Sequence, residues 1–171
     1  MTGRATALLV ALLTACSPRP PAPAGGPAPS GAANVAAPEE PVVTLERAPC
    51  FGTCPVYRVA ISGSGAVRFV GRQHVIRQGE VADQIPPERV DSLLGELEAG
   101  GYFGFADAYV RGSPACGQYA TDSPTVITSA TADGHSKTIR HDYGCSAAPP
   151  ELGRLERMID EVAGTARWTG P

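Results

Sequence analysis

Nothing aromatic precedes position 50: all ten aromatic residues of this 171-residue chain lie from Phe51 to Trp168. Aromatic side chains carry the largest apolar areas a core can bury, so the core has to come from the later part of the chain. The segment before it points the same way. Residues 17–41 hold eight prolines and seven alanines. Such a segment gains too little from burial to offset the entropy of ordering it. It reads as an extended, flexible Pro/Ala-rich linker reaching about 3 Å per residue. The chain therefore divides into 1–15, 16–41 and 42–171, and only the last can bury a core of its own.

The first segment reads as an export signal. Arg4 supplies a positive start, and residues 5–13 form an apolar run. That run is too short to cross a bilayer and has the length of a signal-peptide core. Leu13-Thr14-Ala15-Cys16 follows. It resembles the bacterial lipoprotein signal, in which the peptidase cuts before the cysteine and the thiol takes a diacylglyceryl group. The plainer alternative is an ordinary secretory signal with an incidental cysteine. On the lipoprotein reading Cys16 is the lipidation site and the bilayer is a partner through its acyl chains. Ser17 replaces the aspartate of the inner-membrane retention signal, which favours the outer membrane, facing the periplasm, in a cell that has one.

Periodicity predicts a two-layer α+β domain. A short strand is expected at 42–46. In 56–62, Tyr57, Val59 and Ile61 alternate with Val56, Arg58 and Ala60. Gly63-Ser64-Gly65 reads as a hairpin turn, with return strands at 66–70 and 73–77, ending at Gly79. Pro86-Pro87 opens a helix carrying Val90, Leu93, Leu94 and Leu97, and Gly100-Gly101 stops it. A second cycle has strands at 125–131 and 136–143 around the Asp133-Gly134 turn. A helix then runs from Pro149-Pro150 to Gly164 with Leu152, Leu155, Ile159 and Val162 on one stripe. The expected order is ββ(β)α–ββα, an antiparallel sheet of about five strands with two helices on one face. Phe51, Tyr57, Tyr102, Phe103 and Phe105 are expected in the core.

Four cysteines remain beyond Cys16: Cys50, Cys54, Cys116 and Cys145. An even number in an exported chain implies disulfides. Of three pairings, Cys50–Cys54 across a tight loop and Cys116–Cys145 across the second hairpin are favoured. Two sharper readings compete. Cys50 and Cys54 as a redox pair have C-x3-C rather than C-x-x-C spacing, with no His, Lys or Arg between them to lower a thiol pKa. Zinc held by Cys50, Cys54, Cys145 and His141 would need free thiolates in an oxidising compartment.

The run Cys50-Phe51-Gly52-Thr53-Cys54-Pro55-Val56-Tyr57 and the Gly-containing hairpin after it resemble a bacterial family, domain of unknown function family 6438. Asp122-Ser123-Pro124, the strand 137–141 and Ile159-Asp160 are similar to it as well. The resemblance implies one coherent domain over most of 42–161 and brings no activity with it.

Other functional signals are few. A net charge of −3 gives no basic excess for nucleic acid. Ser123 and Ser129 lack the G-x-S-x-G setting of a nucleophile, and there is no Walker A loop or dinucleotide fingerprint. His74, His135, Glu96 and Glu98 read as solvated side chains. His141-Asp142 would make a base with its orienter, but neighbouring strand residues point to opposite faces. Asp122, before Pro124, reads first as a turn former. Asp122, His141 and Asp142, with Tyr119, form the candidate recognition surface. The sequence thus calls for no catalytic residue, metal or cofactor. It favours a non-enzymatic envelope lipoprotein, a tethered binding or structural module for an unidentified envelope ligand or protein. The alternative is a periplasmic thiol–disulfide oxidoreductase using Cys50 and Cys54.

Overall fold

A computed structural model describes residues 39–170. The expected signal peptide, the Cys16 anchor and the linker up to residue 38 lie outside the described residues.

The described chain is α+β, with seven strands in one sheet and three helices. Four strands come first: β1 (Pro41–Arg47), β2 (Val56–Ser62), β3 (Ala66–Gln73) and β4 (Gly79–Gln84). Helix α1 (Pro87–Ala99) follows, then a 3-10 turn at Tyr102–Gly104 and the two-residue strand β5 (Ala108–Tyr109). Strands β6 (Thr125–Ala132) and β7 (His135–Asp142) precede α2 (Pro150–Ala163) and the short α3 (Ala166–Thr169). The order across the sheet is β4-β3-β2-β1-β6-β7-β5. Every neighbouring pair is antiparallel except β5 with β7.

Strand alternation sets the core face. Leu45 of β1, Ile61 of β2, Phe69 of β3, Val126 of β6 and Ile139 of β7 are all buried. They belong to one core with Leu93 and Leu97 of α1 and Leu152, Leu155 and Ile159 of α2. Both long helices carry proline in the first turn, where its missing N–H has no intrahelical partner. Gly164, at φ 69°, ends α2 in the left-handed region.

The α+β class stands, but the strand count and order differ from expectation. The segment 73–77 is not a strand. β3 runs on to Gln73, and His74 then takes φ 52°, which breaks the extended backbone. The pairing strand is β4, starting at Gly79 rather than ending there. It lies at the sheet edge and contributes only a half-buried Val81 and Asp83, so it lacks an apolar pattern. β5 is too short to have a period. Phe51 is also misplaced by the sequence: it is 88% exposed, whereas Tyr57 and Tyr102 are core and Phe103 and Phe105 pack half-buried against it.

The β2–β3 turn depends on Gly65. It sits at φ +87°, and a Cβ there would lie 2.1 Å from the Ile85 carbonyl oxygen. Gly79 has a similar φ of +83° but open space around it. Gly65→Ala is expected to cost about 3 kcal/mol, the sum of left-handed strain and overpacking, and Gly79→Ala only about 1 kcal/mol. Urea unfolding of the two variants measures the difference, and equal losses would contradict it.

Candidate functional site

The sequence motifs converge at one end of the sheet, where β1 and β7 finish and β2 and β6 begin. Arg47, the last residue of β1, turns toward α2. Its Nε donates to the Tyr57 hydroxyl and to Asp160 Oδ2, both at 2.9 Å, and its Nη2 donates to Oδ2 at 2.5 Å. The Tyr57 hydroxyl donates to Asp160 Oδ1 at 2.6 Å, and Thr165 Oγ1 donates to the same oxygen at 2.9 Å. One carboxylate of α2 thus joins two adjacent strands and the start of α3.

A second carboxylate stands one helical turn earlier. Glu156 is 1% exposed on the core face of α2. Its Oε2 accepts the Tyr143 hydroxyl at 2.8 Å, and its Oε1 lies 2.9 Å from His141 Nδ1. Tyr143 packs edge-on against His141, with ring centroids 4.6 Å apart. Its hydroxyl is 3.5 Å from Arg47 Nη1, linking the two clusters.

Burial shapes the electrostatics. It opposes the Arg47 charge, but the Asp160 carboxylate outweighs it and holds the guanidinium pKa above its ordinary value. Burial raises the Tyr57 phenol pKa, and the neighbouring Asp160 charge raises it further. Tyr143 is raised by burial and then by Glu156, and Tyr102 chiefly by burial.

Of the expected recognition residues, His141 stands apart from Asp142, Tyr119 and Asp122. His141 turns toward α2. Asp142 turns the other way, accepting the Tyr119 hydroxyl at 3.0 Å and the Gly144 N–H at 2.8 Å. Asp122 is exposed at φ 70° and accepts the Thr121 hydroxyl at 3.0 Å. Asp142 and Asp122 both act on Tyr119, whose phenol pKa is raised, chiefly by the hydrogen bond to Asp142. A cavity of about 390 Å³ lies at the other end of the sheet, against Phe103, Gly104, His135 and Lys137.

The four cysteines pair as Cys50–Cys54 and Cys116–Cys145. Their sulfurs are thereby removed from the zinc set considered with His141, and among the described residues no group of acidic, His and Cys side chains is arranged to hold a metal. A family model for the domain of unknown function DUF6438 matches residues 41–163. The chain belongs to the DUF6438 family. No curated protein sequence matches it. The DUF6438 match contains Arg47, His141, Glu156 and Asp160, together with both disulfides. Sequence reasoning passed over Arg47 and Glu156. The signal for Glu156 was present: it falls between Leu152 and Ile159 at helical spacing, on the buried stripe of α2.

The raised phenols predict loss of stability in alkali. Tyr57, Tyr102 and Tyr143 stay neutral in the fold above the ordinary value of 10.0. Their contribution is complete below that pH and is lost as pH rises through the raised values. Tyrosinate absorbance from these three residues is expected to appear only as circular dichroism reports unfolding. All five tyrosines ionising together near the ordinary value, with the fold intact, would refute this.

Proposed function

We propose that the chain is a cell-envelope lipoprotein, acylated at Cys16, whose linker tethers a non-enzymatic DUF6438 domain that binds an envelope component. One observation carries the binding reading. The polar groups at the motif-rich end are spent on each other, half-buried Arg47 with Asp160 and buried His141 with Glu156, while Phe51 is displayed to solvent. Groups committed in this way hold the fold rather than meet a substrate. A large apolar side chain held out on a short disulfide-closed loop suits recognition. The anchor rests on the signal-like run and Leu13-Thr14-Ala15-Cys16.

Growth with labelled fatty acid is expected to label the wild-type protein and not Cys16→Ala. An unlabelled wild type, or a labelled variant, would remove the anchor from the proposal.

A thiol–disulfide oxidoreductase is the second reading, favoured by the position of the Cys50–Cys54 bridge in a loop whose three intervening residues are exposed. On the binding reading this bridge resists mild reductant and leaves Cys50 and Cys54 unreactive to thiol reagents. Ready cycling at the potential of known oxidoreductases would instead establish the enzyme.

A further inference from the structure

Three large hydrophobic side chains stand exposed: Phe51 at 88%, Ile76 at 66% and Tyr143 at 38%. All three are at the same end of the sheet. Phe51 lies between β1 and β2, Ile76 between β3 and β4, and Tyr143 directly after β7. The register fixes this common end, since Arg47 pairs with Tyr57, Val56 with Gln73, and Thr125 with Asp142. From β3 to β7 is four strand intervals, or about 19 Å at roughly 4.8 Å each.

Charge divides along the same axis. The loops at this end, 48–55, 74–78, 110–124 and 143–149, carry Arg77 and Arg111 against one carboxylate, Asp122. The other end holds Glu39 and Glu40 before β1 and Asp133 in the β6–β7 turn, while Lys137 near that turn is paired with Asp107. In a chain of net charge −3, the apolar end is the basic end.

We propose that this end is a membrane-contact face that docks on an anionic phospholipid surface. Phe51 and Ile76 enter the interfacial layer, Tyr143 meets it only with the exposed edge of a ring whose hydroxyl stays on Glu156, and Arg77 and Arg111 meet lipid phosphates. Aromatic and aliphatic tips flanked by cations suit the headgroup boundary, where apolar burial and attraction to anionic lipid add. The tips rise from three separate loops along a row. A fluid interface accepts such a row without the matched contour that a protein pocket would need. The Cys50–Cys54 bridge holds the Phe51 loop in one shape, so little ordering remains to be done on contact.

This deepens the proposed tethered module by naming its target, and it rests on that reading for placing the domain beside a bilayer. The linker joins β1 at the opposite end, at Pro41. The 25 residues of 16–40 would extend over about 75 Å, against about 26 Å for an eight-residue strand such as β3. The loop end can therefore turn back to the anchoring membrane.

The test uses the chain from position 16 onward, exported behind a cleavable leader, with Cys16→Ser so that no acyl group contributes. It is expected to sediment with vesicles of phosphatidylcholine and phosphatidylglycerol and not with phosphatidylcholine alone. Phe51→Ser, at an exposed site that should leave the fold intact, lowers the apparent affinity about ten-fold or more, as for one large apolar side chain returned to water. Arg77→Glu with Arg111→Glu lowers it further, and added salt weakens wild-type binding. The proposal is overturned if the unsubstituted loops leave the chain in the supernatant with anionic vesicles, or if Phe51→Ser binds equally well. Capture of a protein through Phe51 without vesicle binding also overturns it. Fatty-acid labelling tests the anchor separately, so failure of one reading does not imitate failure of the other.

Discussion

The Arg47–Asp160 contact is the constraint around which the domain is arranged. β1 is the middle strand of seven, and Arg47 ends it. Asp160 uses both carboxylate oxygens there, one on Arg47 and one shared by Tyr57 and Thr165. Apolar packing is non-directional and would let a helix slide along the sheet. Directed bonds from two neighbouring strands remove that freedom at one point of α2. Glu156 removes it at a second point, one turn earlier, through His141 and Tyr143 of the β7 side. Two fixed points settle where α2 crosses the strands. The chain beyond it then brings Trp168 to Phe69, with ring centroids 4.9 Å apart, and Arg167 to Asp83 at 2.6 Å.

Such a design has a cost. The Arg47–Asp160 ion pair and the His141–Glu156 contact are taken largely out of water, and desolvation works against such polar groups unless their hydrogen-bonding capacity is met. Here they are met: among the described residues no buried side-chain nitrogen or oxygen lacks a partner. The disulfides support the same end in different ways. Cys116–Cys145 closes a 30-residue loop and Cys50–Cys54 a five-residue one. In the chain-entropy account the first contributes about 3.6 kcal/mol and the second about 2 kcal/mol. The short bridge therefore does less for the whole fold, and its main physical effect is local, on the shape of the Phe51 loop.

What the sequence revealed followed from period and punctuation. β2, β3, β6, β7 and the two long helices bury enough residues at regular spacing to declare themselves. β4 and β5 do not, because an edge strand with one inward aliphatic residue and a two-residue strand leave no pattern to read. Val75 and Ile76 resembled a strand until the positive φ of His74 turned the chain. The site was legible in part. Alternation correctly separated His141 from Asp142, but the partner of His141 comes from α2, fifteen residues on, and no local spacing announces it. Arg47 was hidden for the same reason: it closes on Asp160 across 113 positions.

Phe51 was expected in the core because aromatic residues are scarce in this chain, and scarcity usually means burial. The loop geometry overrides that average. Three residues between bridged cysteines, with Gly52 at φ 136°, cannot fold a phenyl ring back under the sheet that they overhang. One exposed aromatic side chain needs no explanation, since much of any protein surface is apolar. Ile76 and Tyr143 alter that judgement by their position. They come from different loops, yet they occupy the same end as Phe51 and share it with Arg77 and Arg111, away from the end where the linker joins. Accidental exposure would scatter such residues over the surface. On the proposed reading their alignment with the charge axis marks a working end, and the half-buried Arg47–Asp160 and buried His141–Glu156 pairs lie at that same end of the sheet.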